Sequence, residues 1–349
     1  MPTIQNSAAI FNSVPKEYPV LNETIIKGTS IIDLDSATLN GGILVKSVYL
    51  SIDPYLRGRM RKVSSQSYVD SFKIGKPITD FGIGKVIQSE KDEVFLDDLL
   101  YVQEIPFQEY NVLRPEHPAR VIKEKPGVPL SAYIGVLGMP GMTAFYGLET
   151  IGKPVKGETI FVSSGASAVE SLVAQLAKAK GLKVIASVGS DEKIKFLEDI
   201  GVDVPFDYKT QSIADVLAKE GQIDIYWDNV GGSTLEVKNG RSSIDQGDIL
   251  KIKSNGLHWI HVMSPYVIKN ATHILFKQLT VKIFFVLTGE KEYEGQLNNT
   301  IKFLGKLVPL VQSGQIKWSE QTLKGLDSVG EGVIAVQSGA NTAKVVIEV

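Results

Sequence analysis

The chain has 349 residues, more than one hydrophobic core usually supports, so two domains are expected. Its 37 basic residues are offset by 39 acidic ones, which leaves no cationic surplus to recommend nucleic acid or a membrane surface as a partner. There is no cysteine, which excludes disulfides, thiolate metal sites and cysteine nucleophiles; the four histidines (His117, His258, His261, His273) form no paired ligand motif, so no metal is expected.

Met1-Pro2-Thr3-Ile4-Gln5 lacks the charged patch and apolar run of a secretory leader, and the longest apolar stretches, such as Ile283–Leu287, are far short of a bilayer span. The expected compartment is therefore the cytoplasm. Residues 1 to about 125 read as β-rich: Ile43–Leu50 is strand-like, and Gly, Pro and Asp punctuate the segments around it. The stretch Glu124-Lys125-Pro126-Gly127-Val128-Pro129 precedes a change of rhythm.

Beyond it, strand and helix signals alternate. Thr159–Ser163 is a short apolar strand, followed by Val169, Leu172, Val173, Leu176, Ala177 and Lys180 at helical spacing, with Gly181 as the stop. Lys183–Val188 is the next strand, Ser190 can cap a helix from Asp191 to Ile200, and Gly201 ends it. Ile223–Trp227 is a third strand, Ile249–Lys253 an unusually charged fourth, and Lys344–Val349 a last one that returns to the first region. Consecutive strand–helix–strand units with short connections predict a doubly wound parallel sheet.

In such a sheet the first strand–turn–helix presents backbone N–H groups to a pyrophosphate, usually through glycines at the first, third and sixth positions of the turn. Here those positions hold Gly165, Ser167 and Glu170, with Ala168 and Val169 between the last two. A carboxylate at the sixth position opposes a dianionic ligand by a few kcal/mol at an effective dielectric of about 20, unless it turns to solvent. About twenty residues on, where NAD-binding folds place an acid for the ribose, the chain has Ser187, Gly189 and Ser190, followed by Lys193. A hydroxyl-rich, cationic strand end accepts a 2′-phosphate, so NADP is expected in preference to NAD.

The segment Leu137-Gly138-Met139-Pro140-Gly141-Met142-Thr143-Ala144-Phe145-Tyr146-Gly147-Leu148 resembles a signature of the zinc-independent medium-chain dehydrogenase/reductases. Within them it is most similar to the prostaglandin reductase and alkenal double-bond reductase branch. Ser51-Ile52-Asp53-Pro54-Tyr55-Leu56-Arg57-Gly58-Arg59-Met60, Phe206-Asp207-Tyr208-Lys209 and Asp228-Asn229-Val230-Gly231-Gly232 agree with it in order and spacing. The resemblance implies a β-rich, GroES-like catalytic domain over residues 1–127 and 312–349, and a Rossmann-like cofactor domain over 128–311. It implies that Lys193 and Tyr208 hold the 2′-phosphate and that Asn229 lies beside the nicotinamide ribose. Phe284 and Val286 would line the cofactor, Asn341 would contact it, and Tyr55 would stand near the substrate. It also implies homodimers.

The chain departs from the family at Ser167 and Glu170, which replace glycines, and at His258, which by ungapped counting from Gly247 falls where the family has a substrate-side tyrosine. His258 could donate a hydrogen bond to an enolate. The expected activity is NADPH-dependent reduction of the carbon–carbon double bond in hydrophobic α,β-unsaturated aldehydes or ketones, by hydride transfer to the β-carbon. Quinone reduction on the same fold is the enzymatic alternative, and a noncatalytic relative acting as a binding or regulatory protein is the other.

Overall fold

The computed structural model describes residues 3–62, 70–228, 251–252 and 300–349. The chain divides into two compact units, Met1–Gly135 with Ser319–Val349, and Val136–Trp318.

The first unit is built on strands. β1 (Thr3–Phe11) lies between β2 (Ile25–Asp33) and the short β4 (Lys76–Pro77). A second sheet has the order β14 (Glu320–Lys324), β15 (Lys344–Glu348), β3 (Ile43–Ser51), β5 (Thr79–Ser89), β6 (Leu99–Pro106) and β8 (Ala119–Val121), with β7 (Tyr110–Leu113) also on β3. β15 runs parallel to β14 and antiparallel to β3, pairing Val346 with Ser51 and Glu348 with Tyr49. The strand from the far end of the sequence thus lies inside a sheet begun by the first fifty residues. Short helix α1 (Leu56–Arg59) follows β3, and α7 (Val329–Ser338) packs on β15.

Among the described residues the second unit has a five-stranded parallel sheet in the order β11 (Val204–Asp207), β10 (Lys183–Val188), β9 (Thr159–Val162), β12 (Ile225–Trp227) and β13 (Lys251–Ile252). Its helices among the described residues are α2 (Met139–Tyr146), α3 (Glu170–Ala179), α4 (Asp191–Asp199), α5 (Ile213–Glu220) and α6 (Thr300–Gln312). A parallel strand covered on both faces must be apolar on both. Ile160, Phe161 and Val162 are accordingly all buried, as are Ile225, Tyr226 and Trp227.

Phe161 stacks on Tyr226 with centroids 5.1 Å apart and on Phe206 at 6.2 Å, joining three strands through one row of rings. Ile185, Leu217 and Ile223 complete that core. The helix stops are the expected ones: Gly181 and Gly201 take φ of 79° and 83°, a region that favours glycine. No helix among the described residues is long and apolar enough to cross a membrane.

Candidate functional site

In the sheet order of the second unit, the chain runs from β9 outward through β10 and β11, then returns to the other side of β9 as β12. The crevice at the carboxyl ends of β9 and β12 is therefore the topological switch point, where open α/β sheets bind ligands. A hydrogen bond crosses it: Ser163 Oγ donates to Asp228 Oδ1 at 2.6 Å, while Ser163 N donates to the Trp227 carbonyl at 3.1 Å. Both Ser163 and Asp228 are buried.

The turn that follows β9 is tight for a visible reason. Ser164 takes a left-handed φ of 54°, and Gly165 N donates to the Ser187 carbonyl of β10 at 2.9 Å. A Cβ on Gly165 would stand 2.7 Å from Ala186 Cβ and 3.3 Å from Leu197, so only glycine allows this approach. Ser167, Ala168 and Val169 are half-buried and lead into α3, whose cap residue Val169 makes no side-chain capping bond. Glu170, in the first turn of α3, is buried and not turned to solvent. A carboxylate there interacts favourably with the N-terminal end of the helix dipole.

The ends of β10 and β11 build a second feature. Ser190 caps α4, its hydroxyl accepting from Lys193 N at 3.4 Å. Asp207 Oδ1 accepts from Lys209 N at 2.8 Å, which turns the chain so that the Lys209 ammonium donates to the Gly189 carbonyl at 2.7 Å. A Cβ on Gly189 would lie 2.8 Å from Tyr208 Oη and 3.1 Å from Lys209 Cε. Gly189 is thus the floor of a cradle whose walls are the Tyr208 phenol and the Lys209 stem.

Lys193 belongs to the same cradle. Burial lowers its pKa below the usual lysine value, the nearby Lys209 ammonium lowers it further, and Glu192 opposes both. Two ammonium groups, a half-exposed phenol and a capping serine are a donor set matched to a phosphate dianion. The sequence had singled out Ser187, Ser190, Lys193 and Tyr208, and the fold gathers them with Gly165 along the carboxyl edge of one sheet. Lys209 was missed. Its signal was present, as a cation directly after Tyr208 in the same turn.

In the first unit, Tyr55 is buried at the end of the loop after β3, and its hydroxyl is hydrogen-bonded to Asp80 Oδ1 on β5 at 2.5 Å. Asn341 also lies in this unit, donating from Nδ2 to its own neighbour, the Ala343 carbonyl, at 2.9 Å. Asn229, His258, Phe284 and Val286 lie outside the described residues. Among the described residues no group of three His, Cys, Asp or Glu could hold a metal ion.

Two family models match the chain: one described as the N-terminal domain of oxidoreductase over residues 28–121, the other as zinc-binding dehydrogenase over 168–302. The chain is 34% identical to the 2-alkenal reductase (NADP(+)-dependent) of Nicotiana tabacum, across 99% of this chain and 98% of that protein. It is 35% identical to the (+)-pulegone reductase of Mentha piperita, across 89% of this chain and 88% of the relative. Among solved structures, CurA in complex with NADPH from Vibrio vulnificus superposes with a TM-score of 0.84 at 27% identity, covering 98% of both chains.

Proposed function

Because the chain belongs to the zinc-independent medium-chain dehydrogenase/reductases of the alkenal reductase type, we propose that it is an NADPH-dependent reductase of carbon–carbon double bonds conjugated to an aldehyde or ketone. The observation that carries the cofactor half of this reading is the cradle of Lys193, Tyr208 and Lys209 over Gly189. Support for the substrate half comes from the relatives, whose names specify an alkenal and pulegone as substrates.

The backbone from Gly165 through Ser167, Ala168 and Val169 would hold the pyrophosphate at the N-terminus of α3, with Ser187 beside it and against the opposing charge of the buried Glu170. Ser190, Lys193 and Tyr208 would hold the 2′-phosphate, and Lys209 would add a second cation. Asn229, Phe284, Val286 and Asn341 are assigned to the nicotinamide half on the strength of the family pattern. When bound, the reduced dinucleotide supplies a hydride to the β-carbon of the enal or enone.

What the protein must add is stabilisation of the negative charge that then develops on the carbonyl oxygen, and a proton for the α-carbon. His258 is the candidate hydrogen-bond donor to the enolate, and Tyr55 the candidate side chain beside the substrate.

Titration of the purified protein with NADPH and with NADH, read by quenching of the fluorescence of its three tryptophans, tests the cofactor half. NADPH is expected to bind more tightly than NADH. Lys193→Ala should weaken NADPH by about ten- to a hundredfold, the worth of one charge-assisted hydrogen bond, while leaving NADH nearly unchanged. No binding of either dinucleotide at millimolar concentration would overturn the reading.

A further inference from the structure

In the three-stranded sheet of the first unit, β2 is an end strand, laddered only to β1. That ladder runs from Thr3 with Asp33 to Phe11 with Ile25 and keeps one register throughout. An open edge of this length is normally blunted by a bulge, a proline or a charge, because its unpaired N–H and C=O groups template another strand. β2 has neither bulge nor proline, and its charged residues are Lys27 toward one end and Asp33 at the other.

The groups left open follow from the bonding of β1. Ala9 N donates to the Phe107 carbonyl, the Ala9 carbonyl accepts from Ile78 N, and the Ser7 carbonyl accepts from Glu109 N. The odd-numbered residues of β1 therefore turn their amides away from β2. In this register they face odd-numbered residues of β2, and in an antiparallel ladder such a pair bonds outward on both strands. The amides of Lys27, Thr29, Ile31 and Asp33 accordingly point to the open edge, where no hydrogen bond reaches them among the described residues. The side chains of these four share one face of the strand. Lys27, Thr29 and Ile31 are exposed there, and Ile31 is 77% exposed, an apolar side chain with nothing over it.

The edge is complementary to itself. If two copies of β2 run antiparallel about a two-fold axis at Ser30, Thr29 faces Ile31 of the partner subunit and Lys27 faces Asp33 of the partner subunit. Those are the residues with outward amides, so they form the hydrogen-bonded pairs, and Ser30 faces its own copy in a non-hydrogen-bonded pair. The axis repeats the Lys–Asp pair at the other end of the interface. Opposite charges directly across a ladder stabilise it and like charges oppose it. Lys27 already holds Asp327 at 2.9 Å, with both side chains largely in water, and would stand between two carboxylates. Asp33 Oδ1 accepts from Asp35 N at 3.0 Å and Ser36 N at 3.4 Å, while Oδ2 takes no hydrogen bond among the described residues. An axis at Thr29 would set Lys27 against Ile31, and one at Ile31 would set it against Asp35, past the end of β2.

We propose that the open edge of β2 is a self-association surface, on which β2 pairs antiparallel with the β2 of a second copy of this chain, centred on Ser30, in a two-fold dimer. The two three-stranded sheets then form one continuous sheet, and Ile31 is covered by Thr29 of the partner subunit. An interface one strand wide is small, so the dimer is weak and forms in proportion to protein concentration.

The absence of cysteine makes the test direct. Facing Cα atoms in a non-hydrogen-bonded antiparallel pair are about 4.5 Å apart, within the span of a disulfide. Under mild oxidation, Ser30→Cys is expected to give a covalent dimer on a non-reducing gel, and faster than Phe95→Cys, a control at an exposed position outside β2. Sedimentation velocity of the full chain over a concentration series reads the association itself. Thr29→Pro removes an outward amide that the ladder to β1 does not use, so it should leave the fold intact and the chain monomeric. Lys27→Glu and Asp33→Lys should each raise the dimer dissociation constant by about tenfold. The variant carrying both should return to within about threefold of wild type, because reversed charges face each other again. Thermal melting near the wild-type temperature reports that each variant is folded.

A chain that stays monomeric throughout the series overturns the proposal. So does a dimer that Thr29→Pro leaves unchanged, or Ser30→Cys that cross-links no faster than the control, since either puts the contact on another surface. Losses in the single charge variants without recovery in the double variant overturn the register.

Discussion

Gly189 illustrates what one missing side chain permits. The Tyr208 phenol and Lys209 stem close over it at distances that no Cβ tolerates, so a methyl group must push the Tyr208 ring outward. Tyr208 is half exposed and can yield, so the fold should survive. Gly189→Ala is therefore expected to lower NADPH affinity by about tenfold with little effect on NADH, as measured by the same fluorescence titration. At this scale the sequence was partly readable. Lys193, Ser190 and Tyr208 stand out because a dinucleotide fold puts a specific demand on that strand end. Lys209 did not, because its ammonium reaches Gly189 only through a turn that Asp207 makes. Asp80 was invisible for a deeper reason. An aspartate between Thr79 and Phe81 reads as punctuation, and nothing in the sequence says that β5 carries it into a closed interior beside Asp53. Glu170 went the other way: it was conspicuous as a charge in a phosphate turn, and the fold buries it within the first turn of α3.

Elements were more legible than sites, since hydrophobic period and helix stops are local properties. Thr159–Ser163, Lys183–Val188 and the helix ending at Gly181 emerge within a residue or two of where apolar runs and glycines put them. The strand expected over Ile249–Lys253 pairs with β12 at only two positions among the described residues, Lys251 with Ile225 and Ile252 with Tyr226. What periodicity could not give is the way β9, β11 and β12 are tied through one ring. Phe161 is fully buried between Phe206 and Tyr226, and its removal opens a cavity in the sheet that carries the phosphate turn. Phe161→Ala is expected to cost about 3–5 kcal/mol, seen as a lowered urea midpoint of the second unit.

For the whole molecule, the feature that matters most is the place of β15. It separates β14 from β3, and its buried Lys344 donates to the Ile52 carbonyl and pairs with the buried Asp53 carboxylate. Removing residues 344–349 would strip β3 of that partner and leave Asp53 buried without a cation, a change that costs several kcal/mol on the second count alone. The truncated chain is expected to lose the cooperative unfolding of the first unit in calorimetry while the parallel sheet of the second unit still melts. This organisation was readable only in outline, because a strand-like ending says that a strand exists and not which neighbours it takes.

The bond from Lys344 to Ile52 spans 292 positions of sequence. On a ribosome, β3 therefore emerges long before the partner that will seal it, and the entire parallel-sheet unit is synthesised in the interval. Among the described residues, every strand of that unit pairs within it. The other must wait for β15 at Tyr49–Ser51 of β3, a border that β7 covers only at Ile43–Lys46. Vectorial synthesis is thus expected to leave the first unit as the last to finish folding, which pulse proteolysis of stalled nascent chains would show as late protection of β3.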